Sequence, residues 1–157
     1  MERVSKKKYY LNIARAVSKR SSCLKRRYGC IIVKNDEIIA TGYNGSPRGL
    51  DNCCDKGKCN RLSKPHNSGD YSDCHSVHAE QNAMLSASRK DMIGATMYLA
   101  GDEINSLDPS NSYPCWIHLV NCEPCPICAR MILNSGIEKL VTISGEYTKD
   151  DIANKLI

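Results

Sequence analysis

Apolar residues Tyr10, Ile13, Ala14 and Val17 recur at helical spacing between basic ones and predict an amphipathic helix over residues 5–20. Two short apolar runs, Gly29 to Val33 and Glu37 to Thr41, flank the polar turn Lys34-Asn35-Asp36 and predict an antiparallel hairpin. From Gly42 to His75 the periodicity is lost, and Gly, Asn, Pro, Asp, Lys and Cys dominate. A stretch of that length inside a compact domain needs something other than a core to hold it. Four cysteines and two histidines lie within it, a first pointer to a metal. Pattern returns at Val77 to Arg89, read as a helix whose face of small residues (Ala79, Ala83, Met84, Ala87) suits close packing on a sheet. Ala95 to Ala100 reads as a buried strand, Gly101 to Tyr113 as polar and turn-rich, and Trp116 to Val120 as a short returning strand. Cys125 to Asn134 reads as a helix with Pro126 in its first turn and Asn134-Ser135-Gly136 at its end. Ile137 to Ile143 is then a strand and Thr148 to Ile157 a final short helix. Strands alternating with helices indicate a layered α/β domain.

Composition narrows the setting. Of the 157 residues, 41% are hydrophobic and 25% charged, which is ordinary globular usage. No apolar run exceeds four residues, as in Cys30-Ile31-Ile32-Val33, so no membrane-spanning helix is expected. The lysines Lys6, Lys7 and Lys8 are not followed by the apolar stretch of a signal peptide, and the expectation is a soluble, cytoplasmic protein. In that reducing setting ten cysteines point to metal or catalysis rather than disulfides. Residues 1–30 hold ten Lys/Arg against one acid, within a chain of net charge +5. Such a basic segment suits an anionic ligand, and Lys25, Arg26 and Arg27 form its tightest cluster.

Two local patterns carry chemistry. His78-Ala79-Glu80 and Pro124-Cys125-Pro126-Ile127-Cys128 each open a predicted helix behind a loop, with 47 residues from His78 to Cys125. Alone, a histidine before a helix is more often structural, and a Cys-x-x-Cys can be a redox pair or a structural zinc knuckle. Together they match the zinc deaminase signature H-x-E…P-C-x-x-C. One imidazole and two thiolates would hold Zn²⁺ through His78, Cys125 and Cys128 and leave the fourth position to a water. That water's pKa would fall from about 15.7 towards about 7. Helix amino termini favour the thiolate form of the two cysteines. Glu80, two residues past the histidine, would carry a proton to a ring nitrogen and then to the leaving amine.

With Thr41-Gly42-Tyr43-Asn44-Gly45-Ser46-Pro47 ahead of them, His78-Ala79-Glu80-Gln81-Asn82-Ala83 and Cys122-Glu123-Pro124-Cys125-Pro126-Ile127-Cys128 resemble the deoxycytidylate (dCMP) deaminases over residues 20–147. Free cytidine deaminases usually carry Cys in the place of His78, which counts against them. The resemblance implies zinc-dependent hydrolysis of dCMP to dUMP and ammonia by a single deaminase domain, 1–157. Its fold would be a three-layer α/β/α cytidine-deaminase-like one with a central mixed sheet, in a homo-oligomer (hexamer or dimer). It implies that Asn44 bonds the deoxyribose, and that Tyr147 and a basic residue among Lys25, Arg26 and Arg27 lie at the phosphate. The charge excess independently suits a dianion. Asn44-Gly45 is equally a plain turn signal. Some members answer to dCTP and dTTP, for which only the loop 42–49 suggests a place.

Cys23, Cys53, Cys59 and Cys74 are spaced too loosely to form a zinc ribbon by themselves. The resemblance implies a second, structural Zn²⁺ on these four, with His66, His75 or Cys54 as alternatives for one of them. A closed site would staple the loop 42–75. Cys30 reads as buried in its strand, while Cys115 and Cys122 receive no role. Segment 101–121 is longer than expected before Pro124, and a chain ending at Ile157 leaves little room for a last strand. Two rival functions remain. One is a tRNA adenosine deaminase or other nucleobase deaminase; the other is a non-enzymatic, zinc-stabilised module that binds nucleic acid. The first would want an extended basic surface, and here the positive charge is confined mostly to the first 30 residues. The second would use the basic amino terminus and the cysteine-rich loops, and would need neither an open metal position nor Glu80 beside the histidine.

Overall fold

The computed structural model describes residues 1–66, 68–104, 116–119 and 122–157. Helix α1 (Lys6–Ser18) begins where the Ser5 hydroxyl accepts the Lys8 N–H. Strands β1 (Arg26–Lys34) and β2 (Glu37–Tyr43) form the expected hairpin, longer than the apolar runs alone indicated. Its two loop residues, Asn35 and Asp36, have φ of 50° and 66°, the left-handed conformation that a two-residue hairpin loop requires. Then follow α2 (Cys53–Lys56), α3 (Ala79–Leu85), α4 (Arg89–Met92) and β3 (Thr96–Ile104). The chain continues with β4 (Trp116–Leu119), α5 (Pro126–Ser135), β5 (Lys139–Val141), β6 (Glu146–Thr148) and α6 (Lys149–Lys155).

One mixed sheet runs in the order β2-β1-β3-β5-β6. β3 pairs antiparallel with β1 along its length, while its far edge carries β5 in parallel at Thr96–Tyr98 and β4 antiparallel at Asp102–Ile104. Gly29 to Val33 are all buried because helices cover both faces. Ile31 and Val33 pack with Tyr10 and Ala14 of α1. Cys30 and Ile32 point the other way, into a core with Ala83 of α3, Ile132 of α5 and Ile152 of α6. This is the expected three-layer arrangement. Two glycines set how closely the layers approach. A methyl group on Gly29 would overlap the Ala14 carbonyl of α1, and one on Gly42 would overlap the backbone of α3 at Ala79 and Ala83.

Several boundaries differ from the sequence reading. The helix expected over 77–89 is two, because Ser88 caps a new start by accepting the Asp91 N–H. β3 runs past Ala100 to Ile104, since its second half finds partners in Arg26–Tyr28 and β4. The strand expected over 137–143 is only Lys139–Val141. Thr142 N–H bonds the Gly145 carbonyl, and the chain returns as β6, a short edge strand that the sequence reading did not include; it precedes α6, and among the described residues no strand follows that helix. Cys30 and Cys122 are both buried in the core. Cys115, Val120 and the turn-rich stretch 105–113 lie outside the described residues. Among the described residues no helix is long and apolar enough to cross a membrane.

Candidate active site

Two helix starts meet on one face of the sheet. His78 immediately precedes α3, where its own N–H is bonded to the Gln81 side-chain oxygen at 3.0 Å. Cys125 caps α5 and accepts the Cys128 N–H at 3.5 Å, with Pro126 in the first turn. His78 Nδ1 lies 3.6 Å from the Cys125 sulfur and 3.4 Å from the Cys128 sulfur. The three ligand atoms lie within 4.8 Å of one another, and no other group of this kind occurs among the described residues. One imidazole and two buried thiols make a zinc donor set, and three protein ligands is the number of a catalytic rather than a structural site. The residues fit the metal.

The thiols respond to this crowding. A hydrogen bond from Cys128, with help from His78 and the Cys128 N–H, pulls Cys125 down to about 4 against the effect of burial. The same bond, with burial, pushes Cys128 far up. The pair therefore holds one thiolate ready for a cation. Glu80, in the first turn of α3, is 4% exposed. Burial pushes its carboxyl up, and the neighbouring His78 opposes that only in part.

A cavity opens on this group, lined by His78, Glu80 and Cys125 together with Asn44, Lys25 and Arg26. Asn44 is buried, and its amide is heavily engaged. Its oxygen accepts from Ser21 Oγ at 2.7 Å and the Tyr28 N–H at 2.8 Å, and its nitrogen donates to the Arg26 carbonyl at 2.9 Å. Lys25 turns its ammonium to the carbonyls of Arg61, at 2.9 Å, and Lys64. Arg26 pairs with Glu103 at 3.0 Å and bonds the Tyr28 hydroxyl at 3.1 Å. Arg27 is not among the residues lining the cavity; its Nε donates to the Cys23 carbonyl at 3.4 Å. Tyr147 does not line it either. Its hydroxyl, pushed up to about 12 by burial and by Glu123, donates at 2.7 Å to the Glu123 carboxylate, which does.

Cys23, Cys53, Cys59 and Cys74 lie close enough to act on one another. Burial raises Cys23, opposed in part by the backbone N–H groups of Arg26 and Lys25, and raises Cys53; Cys59 and Cys74 push both further up, and Cys23 also acts on Cys53. No three of these sulfurs converge within 4.8 Å among the described residues. Cys23, Cys59 and Cys74 line the cavity beside His78, and Cys53, Cys59, Cys74 and His75 line a neighbouring one. His66 stands at the catalytic cavity, and Cys54 is exposed. Sequence reasoning missed Arg61, Tyr71 and Glu123 as lining residues. The first two sit in the aperiodic segment and carried no signal. Glu123 stood inside the quoted Cys122-to-Cys128 motif and was legible there.

A sheet-backed pair of helix starts presenting His-x-Glu against Cys-x-x-Cys defines a zinc-binding deaminase domain. The pattern of the cytidine and deoxycytidylate deaminase zinc-binding region matches residues 4–144, and the chain belongs to that family. More particularly, it is 36% identical over 156 residues to the deoxycytidylate deaminase of Saccharomyces cerevisiae, covering 95% of this chain and 40% of the yeast protein. It is 36% identical over 147 residues to the deoxycytidylate deaminase of Mycobacterium phage D29, covering 90% of this chain and 96% of that one. The dCMP deaminase of cyanophage S-TIM5, solved in complex with dCMP and dUMP, superposes with a TM-score of 0.60 at 27% identity. That superposition covers 89% of this chain and 82% of the phage chain. The chain thus spans well under half the length of its yeast relative.

Proposed function

We propose that this chain, acting as one deaminase domain, hydrolyses dCMP to dUMP: one water adds to the pyrimidine and one ammonia leaves. The observation that carries the reading is the meeting of His78, Cys125 and Cys128 beside a buried Glu80, at a cavity lined by His78, Glu80 and Cys125 together with Lys25 and Arg26. Zinc held by the first three residues supplies, when bound, Lewis-acid activation of water at neutral pH. Glu80 does the proton work. Its buried, raised carboxyl takes a proton from the attacking water, hands it to the pyrimidine ring nitrogen, and then moves a proton to the departing amino group.

Substrate selection follows from the rim. Arg26 and Lys25 offer cations to a dianionic phosphate, and the Asn44 amide keeps one N–H for the deoxyribose after its three structural bonds. Tyr147 acts through Glu123. Arg27 contributes to the field around the entrance. Cys23, Cys53, Cys59 and Cys74 draw together on a structural zinc that closes the segment 42–75, with His75 beside them as an alternative ligand. Thiolate ligands persist in a reducing compartment, so we place the enzyme in the cytoplasm. The exposed Ile127 and Met131, one turn apart on α5, favour a homo-oligomer, dimer or hexamer, which light scattering would measure. An effector such as dCTP or dTTP would bind near 42–49 and shift the dCMP saturation curve.

The deciding experiment incubates the purified, zinc-loaded protein with dCMP, CMP, deoxycytidine and an adenosine-bearing tRNA loop. Ammonia from dCMP in preference to the others is the expected result; ammonia from the RNA alone overturns the reading in favour of a tRNA deaminase. Metal analysis should find two zinc ions per chain, and one ion would remove the structural site while sparing the catalytic one. A protein that binds nucleic acid and releases no ammonia from any substrate would be the non-enzymatic module.

A further inference from the structure

Two side chains of the aperiodic segment reach the catalytic cavity and take no part in the roles assigned above. The Tyr71 ring meets the His78 imidazole with centres 5.5 Å apart and planes at 76°. The Arg61 guanidinium lies 4.4 Å from the centre of that same ring. Both residues line the cavity alongside Glu80 and Cys125. Arg61 is itself held firmly. It is 5% exposed, donates to Ser68 Oγ at 2.7 Å and to the Asp70 carbonyl, and pairs with Asp73 at 3.4 Å. Tyr71 is fastened at its backbone, where its carbonyl accepts the Cys74 N–H at 2.9 Å. The Tyr71 ring is thus held between a cation and the His78 imidazole, and it lines the same cavity as Glu80, so a base entering there would meet an aromatic side chain fixed in place.

We propose that Tyr71 positions the pyrimidine ring of the substrate, and that Arg61 is a positioning residue acting through Tyr71. The inference rests on the pyrimidine-nucleotide reading of the pocket. Aromatic contact with a nucleobase is indifferent to the phosphate, so Tyr71 serves the base while Lys25 and Arg26 serve the anion. The cysteine-rich segment thereby supplies a wall of the active site as well as a staple for the fold.

The test uses zinc-loaded wild type, Tyr71→Leu, Tyr71→Phe, Arg61→Met and the double variant Tyr71→Leu/Arg61→Met, matched for zinc content. Tyr71→Leu keeps apolar bulk and removes the ring; it should lower kcat/KM for dCMP by about tenfold to a hundredfold. Tyr71→Phe should recover most of that loss. Arg61→Met should lose less, and should add nothing on the Tyr71→Leu background, as coupled residues do. Calorimetry with dUMP should show a parallel loss of affinity in Tyr71→Leu. Inhibition by deoxyribose 5-phosphate, which has no base, should be unchanged. Three outcomes overturn the proposal: Tyr71→Leu within about twofold of wild type, Phe and Leu equally impaired, or dUMP and deoxyribose 5-phosphate weakened together. Failure of wild type to release ammonia from dCMP strikes the function itself, and is read before any variant is compared.

Discussion

The two sides of the catalytic cavity are held by different forces. His78, Glu80, Cys125 and Cys128 stand at the starts of α3 and α5, and both helices bury apolar faces against the sheet. The rest of the lining, with Arg61, His66 and Tyr71, hangs on the chain between β2 and α3. No described residue between Ala40 and Ala79 belongs to the buried apolar core. Polar tethers hold it instead: the Lys25 ammonium on the carbonyls of Arg61 and Lys64, the Arg61 guanidinium on Ser68 and Asp70, and the Lys64 ion pair with Asp73 at 2.6 Å. Each net hydrogen bond of this kind contributes about 1 kcal/mol, because water competes for both partners. Close-packed helix starts resist opening far more strongly. Under the proposed function the contrast teaches a division of labour: the groups that would hold a metal and move a proton sit on the rigid side, and Tyr71 and Arg61, proposed to orient the base, sit on the side that can yield without unfolding the sheet.

Four measurements would break or sharpen that contrast. On the rigid side, Glu80→Gln should lower kcat by about 10²–10⁴-fold while zinc content stays at the wild-type value, since Glu80 is not a ligand; a variant as active as wild type would end the proposed mechanism. Gly42→Ala forces a methyl group into the backbone of α3. It should cost about 1–3 kcal/mol, read as a fall of several degrees in Tm, and should reduce activity because α3 carries His78 and Glu80. On the yielding side, Lys25→Met should raise KM for dCMP by about threefold to tenfold and leave kcat and Tm nearly unchanged. A large drop in Tm would show that the loop is part of the folding unit after all. The smallest effect is expected on the far face of the sheet, where Tyr10 donates to the Asp36 carboxylate and its hydroxyl is held up at about 12, chiefly by that bond. A raised phenol stabilises the fold fully below its unfolded pKa of about 10 and loses that contribution as pH climbs towards the folded value. Thermal scans in alkaline buffers should therefore show a shallower decline for Tyr10→Phe than for wild type, with neutral-pH kinetics alike.

Much of the rigid side was legible beforehand. His78, Glu80, Cys125 and Cys128 follow from two short motifs, because a helix start fixes the offset between neighbouring side chains and leaves tertiary structure little to decide. The hairpin, α1, α5 and the buried Cys30 were equally readable from periodicity and turn residues. Where partners are remote, reading failed. The end of β3 depends on Arg26–Tyr28 and β4, the split between α3 and α4 on a cap at Ser88, and β6 on a turn at Gly145. That the Lys25 ammonium also lies on loop carbonyls some 36 to 39 residues away in sequence is something its charge and its place in the basic cluster did not indicate. Arg61 and Tyr71 stood in a stretch with no periodicity, so nothing local set them apart.

The chain's order of residues alone therefore determined the chemistry on offer: an imidazole, two thiols and a carboxyl at helix starts, with a basic approach. Only the folded molecule decided which side chains share a cavity, because the sheet brings Arg26 beside Glu103 and the unpatterned segment lays Tyr71 against His78. Spacing encodes contacts within one helical turn or one strand pair. Contacts across dozens of residues arise from packing and from competition among many possible polar partners, and no local pattern records which partner wins.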